Sequence, residues 1–344
     1  MFGKAFKLKA VVFNGKKVVL KEVTKPFLDR NQVLVRVRAV GICGTDLAIT
    51  EGKISTSIPI ILGHEFAGEV IDEKTDLDIS WIGRRVTSEI NTNICHKCYF
   101  CKRNVYSQCL ERKALGIHIN GAMADYLAID VNLLHEIPNS VSYEEATFIE
   151  PLAAAYQTFE MMPIDIDDRM IAIFGMGKLG LLLLQIAKNK GLETTVVNGS
   201  EKKLELARQL GADHLINRHD NVDVSSIIKN LGNNGVDIVV DASGSPRALK
   251  DVISSCRSRG KIHIKSTHGV LTPINITEMV QKEITLYTSR CGPFRKAIQG
   301  LESKKIVVTP LISQTYPLER VEEAFDYYKK SKNAIRVLLT NNSK

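Results

Sequence analysis

The sequence has no apolar run long enough to cross a membrane as a helix. Its most apolar stretch, Leu179 to Ala187, is interrupted by Gly180 and Gln185, whereas a span takes roughly 20 residues. The opening residues, Met1-Phe-Gly-Lys-Ala-Phe-Lys, carry no apolar core followed by a small-residue cleavage site. No signal peptide is expected, and the expected location is the cytoplasm. Internal repeats and low-complexity stretches are also lacking. Although the formal net charge is +8, the Lys and Arg residues are scattered, and no window resembles a basic recognition helix. Neither a nucleic-acid nor a membrane partner is therefore expected.

What remains is ordinary soluble material: 44% hydrophobic and 24% charged residues in a chain of 344, enough for about two domains. The unusual feature is cysteine. Of seven, Cys95, Cys98, Cys101 and Cys109 fall within fifteen residues, while Cys43, Cys256 and Cys291 stand apart. Without a secretory signal, such a cluster points to metal before disulfides. For Cys256 and Cys291 the expectation is a buried free thiol.

The first 140 or so residues read as mostly β. Ala10–Phe13 and Val18–Leu20 flank Asn14-Gly15, a hairpin signal. From Val33 to Val40, apolar Val33, Val35, Val37 and Ala39 alternate with Arg36 and Arg38, as in a half-buried strand. Phe66–Ile71 and Arg85–Ile90 are further strand candidates. Near residue 145 the rhythm changes. Strands at Met170–Phe174, Thr194–Val197, Val236–Asp241 and Lys261–Ile264 alternate with helices at Lys178–Asn189 and Glu201–Leu210. Such alternation predicts an α/β fold with a doubly wound parallel sheet. After about residue 292 the chain reads helix, strand, helix, strand, ending at Val337–Thr340.

Gly175-Met-Gly177-Lys-Leu-Gly180 follows a predicted strand and opens a predicted helix. In that context the glycines permit a tight turn, close approach to a pyrophosphate and close helix–strand packing, with phosphate at the helix N-terminus. Lys178 and Leu179 complete the loop. An acidic residue should end the second strand if the ribose 2′-hydroxyl is to be read, but the strand ends at Asn198, followed by Gly199 and Ser200. Asn198 and Ser200 can donate to a phosphate, and Lys202 or Lys203 can supply charge. The expectation leans to NADP over NAD, or to use of both.

The spacing C-x2-C-x2-C-x7-C places four thiolates on one compact loop, which suits a closed, structural zinc site. Iron–sulfur chemistry is the rival; a single cluster beside a nicotinamide fold favours zinc. His96, between the ligands, is expected at the surface. Elsewhere Cys43, His64 and a carboxylate, Glu65 or Glu150, form a mixed set. Three protein ligands with one open position are what a catalytic zinc needs.

Gly41-Ile-Cys-Gly-Thr-Asp46, Gly63-His-Glu-Phe-Ala-Gly68, the cysteine ladder at 95–109, Glu150-Pro-Leu-Ala and the glycine loop at 175–180 together resemble the zinc-containing medium-chain dehydrogenase family over nearly the whole chain. Glu150-Pro151 is similar to its branch of polyol, threonine and sugar dehydrogenases. The resemblance implies a GroES-like β-rich catalytic domain at 1–143 and 293–344 carrying both zincs. It implies a Rossmann domain at 144–292, a substrate cleft between the two, and a homodimer or homotetramer. Cys43 and His64 would bind the catalytic zinc, with Glu65 or Glu150 as third ligand, the two exchanging during turnover. Asp46 would hold the far nitrogen of His64. Thr45 would hydrogen-bond the substrate oxygen and pass its proton on. Zinc would act as Lewis acid while hydride passes between an alcohol, polyol or sugar and the nicotinamide.

Three positions depart from the family pattern. Ala48 stands where many relatives have a relay histidine, Lys74 replaces a glycine, and Gly83-Arg-Arg-Val86 replaces Gly-Asp-Arg-Val. Ala48 is the only support for an alternative, a catalytically silent zinc-bearing NADP-binding protein. Lys261-Ile-His263-Ile-Lys265-Ser-Thr-His268 is unusually polar for a strand end: it either contacts cofactor or substrate or is simply solvated.

Overall fold

The computed structural model describes residues 7–232 and 234–341. The chain forms two compact units, residues 1–150 with 311–344, and residues 151–310. The expected divisions lie at 143/144 and 292/293. The helix Phe294–Glu302, expected in the returning segment, falls in the second unit.

In the first unit the hairpin forms as its turn residues dictate. Lys7–Phe13 pairs antiparallel with Val18–Thr24, and Phe13 lies opposite Val18. Gly15 takes a φ of +90°, while the Asn14 side chain accepts from the N–H groups of Lys16 and Lys17. The larger sheet has seven strands, with Gln32–Ile42 as its hub. That strand pairs along its length with Glu65–Lys74, and on its other side with Tyr126–Asp130 at its start and Arg336–Thr340 at its end. Val33, Val35 and Val37 join Phe66, Val70, Val86, Leu127, Val337 and Leu339 in one core. Register decides which residues meet at the end of the hub. Gly41 lies opposite Glu65, and Ile42 opposite Val337, so the hub brings two remote segments to the residues just before Cys43.

The second unit holds six parallel strands in the order His214–Asn217, Glu193–Asn198, Met170–Phe174, Val236–Asp241, Cys256–Ile264 and Thr285–Thr288. Apolar runs at Ile171–Phe174 and Ile238–Val240 are buried on both faces, as a helix-covered parallel sheet requires. Helix Lys178–Asn189 is buried continuously from Gly180 to Ala187. The strand order reverses between Met170–Phe174 and Val236–Asp241, and ligands of such sheets bind beyond the carboxyl ends of the strands at that point. Among the described residues no helix is long and apolar enough to cross a membrane.

Candidate active site and metal centres

Cys43 directly follows the hub strand and is the N-cap of the helix Gly44–Thr50. Its N–H donates to Asp46 Oδ2 at 2.8 Å, and the Gly63 N–H donates to Asp46 Oδ1 at 3.3 Å. One wholly buried carboxylate thus ties together the two segments that carry Cys43 and His64. His64 Nδ1 faces Asp46 Oδ1 at 3.8 Å and has no hydrogen-bond partner among the described residues. Asp46 therefore lies at ion-pair range of the imidazole while its oxygens are spent on backbone.

One donor atom each from Cys43, His64 and Glu65 lies within 4.8 Å of the others. Glu150, in the first turn of helix Ile149–Met161, is outside that group. Thr45 is half-buried in the first turn of the helix capped by Cys43, and Ala48 follows on the same helix. Burial drives the His64 imidazole down, but its hydrogen bond with Cys43 and the charges of Cys43, Asp46 and Glu150 outweigh this and raise it to about 9. The three grouped donors come from a half-buried cysteine and two buried side chains. Their sulfur, nitrogen and oxygen atoms suit zinc.

One residue of this site is not among those that the sequence motifs single out. Arg336 is wholly buried. Its Nη1 donates to Glu65 Oε2, and its Nη2 to the Thr147 carbonyl at 2.9 Å. The sequence signal was a lone arginine between Ala334-Ile335 and Val337-Leu-Leu339.

The cysteine lobe assembles as its spacing predicts. Sγ–Sγ distances are 3.5 Å for Cys98–Cys101, 3.6 Å for Cys95–Cys109 and 3.9 Å for Cys95–Cys101. Four sulfurs bound tetrahedrally at ~2.3 Å would stand about 3.8 Å apart. No disulfide competes, since all seven cysteines are free. Backbone hydrogen bonds from Leu110 and Cys101 bring the Cys98 thiol down to about 6, favouring thiolate. His96 is exposed, with its ring edge-on to Tyr106, and stays outside the sulfur group.

In the glycine loop each glycine has a separate reason. Gly175 takes φ +95°, and a Cβ there would collide with Ser243. A Cβ on Gly180 would strike the Gly175 carbonyl, whereas one on Gly177 would meet nothing within 4 Å. Gly177 caps the helix beginning at Lys178 and Leu179, so open space lies over helix N–H groups. Asn198 turns back on this loop, accepting from the Met176 N–H at 3.2 Å. Ser200 caps the next helix, accepting from the Lys203 N–H at 3.4 Å. Burial lowers the Lys203 pKa. Two further residues went unremarked in the sequence. Asn198 pairs in register with Asn217, so Gly199 comes beside Arg218 and His219. A Cβ on Gly199 would stand 2.5 Å from His219 Nε2 and 3.0 Å from Arg218 Nε. Their signal was a basic pair directly after a strand.

The polar segment at 261–268 is not a solvated strand end. Lys261 Nζ donates to Asp165, Asp168 and the Pro163 carbonyl. Lys265 Nζ donates to the Ala154 carbonyl and to the carbonyl and hydroxyl of Ser289. His263 between them is wholly buried. Cys256 is buried, which pushes its thiol up to about 12, while Cys291 is only half-buried.

Comparison with known proteins extends over both units. Residues 29–139 match the alcohol dehydrogenase GroES-like domain, and residues 179–303 match the zinc-binding dehydrogenase domain. A sorbitol dehydrogenase of Bacillus subtilis is 33% identical over 340 residues, covering 94% of each chain. An L-threonine 3-dehydrogenase of Pyrococcus horikoshii is 31% identical over 329 residues, covering 92% of this chain and 93% of its own. A Sinorhizobium meliloti protein described as a zinc-binding dehydrogenase, solved bound to NADP, superposes with a TM-score of 0.91 at 26% identity, over 97% of this chain and 99% of that one. The chain belongs to the zinc-containing medium-chain dehydrogenase/reductase family, in its polyol and threonine dehydrogenase branch, and is an alcohol-type dehydrogenase.

Proposed function

We propose that this enzyme passes hydride between a polyol or sugar alcohol, or the matching carbonyl, and NADP, with Cys43, His64 and Glu65 holding a catalytic zinc. The carrying observation is the convergence of those three donors within 4.8 Å of one another in one pocket. When bound, zinc supplies Lewis acidity toward the substrate oxygen and the nicotinamide takes or gives the hydride. Thr45 accepts the substrate hydroxyl proton through its own hydroxyl. Ala48 cannot carry that proton further, so it leaves by water or by another group. Glu150 stands by as the exchanging carboxylate, and a charged, wet site of this kind suits a diol. A second zinc is assigned to Cys95, Cys98, Cys101 and Cys109, in a structural role. Gly175, Gly177 and Gly180, with Lys178 and Leu179, cradle the pyrophosphate.

The preference for NADP rests on the corner after the second and third strands. No carboxylate stands at Asn198, Arg218 and His219 lie against Gly199, and Arg218 and Lys203 carry positive charge for a 2′-phosphate. The NADP-bound S. meliloti relative supports the same reading. The assembly is a homodimer or homotetramer, and the place of action is the cytoplasm. The silent alternative is disfavoured because Cys43, Thr45 and His64 are all in place.

The test is absorbance at 340 nm with NADP and with NAD, over polyols, sugars, threonine and simple alcohols, then over carbonyls with the reduced cofactors. Chelator-sensitive reduction of NADP with polyols is expected. Glu150→Ala should cut kcat at least about tenfold, one transition-state interaction of ~1.4 kcal/mol. Arg218→Ala should raise KM for NADP roughly 10- to 100-fold, as for a lost charge-assisted hydrogen bond, with little effect on NAD. No turnover in either direction, in protein that binds zinc and NADPH, would favour the silent alternative.

A further inference from the structure

Arg336 is the largest side chain fully withdrawn from solvent among the described residues. A guanidinium buried to that degree is stable only against an anion and hydrogen-bond acceptors. Here the anion is Glu65, one of the three grouped donors. The Thr147 carbonyl takes a second N–H, and the guanidinium lies over the Phe148 ring, 5.1 Å from its centroid. The hub strand makes room, because a Cβ on Gly41 would collide with three guanidinium atoms. Gly41 is also the residue opposite Glu65 in the ladder. Its missing side chain is thus the passage by which a residue 271 positions away reaches this carboxylate. Burial draws the arginine down to about 10, and the charges of Cys43 and Asp46 oppose that fall, so it stays charged near neutral pH.

We propose that Arg336 is a positioning residue for the metal centre: by binding Oε2 of Glu65 it fixes the carboxylate so that it meets the metal through its other oxygen alone. This rests on Glu65 being a ligand. A carboxylate tied at one oxygen can give way to Glu150 only by parting from Arg336, and while it is tied it cannot close on the cation with both oxygens, so the position needed for substrate is kept open. A merely structural ion pair would contribute to stability and leave the metal's ligand field alone.

The readout is the visible d–d spectrum of holoenzyme with cobalt(II) in the catalytic site and zinc retained in the cysteine lobe, together with the rate at which a chelator removes the cobalt. Glu65→Gln should alter the bands. Arg336→Gln should alter them too and speed cobalt loss at least tenfold, while Arg336→Lys, which keeps the charge but loses the fork, should fall between it and wild type. NADPH binding reports that each variant is folded. If Glu65→Gln leaves the bands unchanged, Glu65 is no ligand, and the role of Arg336 falls with it. If Glu65→Gln changes them but folded Arg336→Gln matches wild type in bands and removal rate, only the role of Arg336 is overturned. Should Arg336→Gln not fold, the Lys variant decides: bands and removal rate identical to wild type overturn the proposal.

Discussion

His263 shows what a titratable side chain does when the fold gives it nothing to bond. Strand alternation puts Lys261, His263 and Lys265 on one face. The lysines reach acceptors on either side, but the imidazole between them is wholly buried, with neither nitrogen hydrogen-bonded among the described residues. Burial, and secondarily the Lys265 charge, pushes its pKa down from 6.5 to about 4. Unfolding restores a group that titrates near 6.5. Between these values the unfolded chain binds a proton that the folded chain refuses, so stability is full above pH 6.5 and falls as pH drops toward 4. At about 1.4 kcal/mol per unit, the loss at pH 4 is at most about 3 kcal/mol. Urea midpoints at pH 7 and pH 5 should fall further for wild type than for His263→Leu. Parallel losses in the two proteins would mean that His263 takes up its proton without unfolding.

At the scale of elements, the cysteine lobe has little besides its sulfurs to hold it. Its regular structure is two short 3₁₀ turns, Cys101–Arg103 and Tyr106–Gln108, and Tyr99, Val105, Tyr106 and Leu110 are exposed. Its stability should therefore come from the metal. Cys101→Ser should lower the zinc content from about two to about one per chain, measured by elemental analysis, and open residues 95–112 to proteases while NADPH binding persists. An undiminished metal content would remove the structural zinc. This lobe was legible because its four cysteines are local in sequence. Helix Lys178–Asn189 was legible too, having long periodicity and glycine punctuation. Strands His214–Asn217 and Thr285–Thr288 were not: each has four residues, and the second is largely exposed, so no alternation betrays them. Cys43, His64 and Glu65 could be picked out as residue types, but their meeting depends on ladder register. Arg336 and Arg218 enter only through pairings between remote strands, which sequence spacing does not carry.

At the scale of the whole molecule, the six-stranded sheet of the second unit ends at Thr285–Thr288. No described strand pairs with its outer side. Proteins guard such edges with charge, proline or a cover, yet this strand reads Thr-Leu-Tyr-Thr. Leu286 is 48% exposed, and Ile276, Val280 and Leu271 on the preceding segment are 56%, 68% and 99% exposed. An uncharged edge beside an apolar surface is expected to be an interface rather than a solvated rim. Self-pairing of this edge across a two-fold axis would satisfy its backbone groups on both chains at once, as an isologous contact. A second copy of the chain is therefore the expected occupant. The double variant Val280→Lys, Leu286→Lys would set like charges against their own symmetry mates. Light scattering should find wild type at twice or four times the chain mass and the variant at half the wild-type value, with secondary structure unchanged. A variant that stays at the wild-type mass would place the subunit interface elsewhere on the molecule.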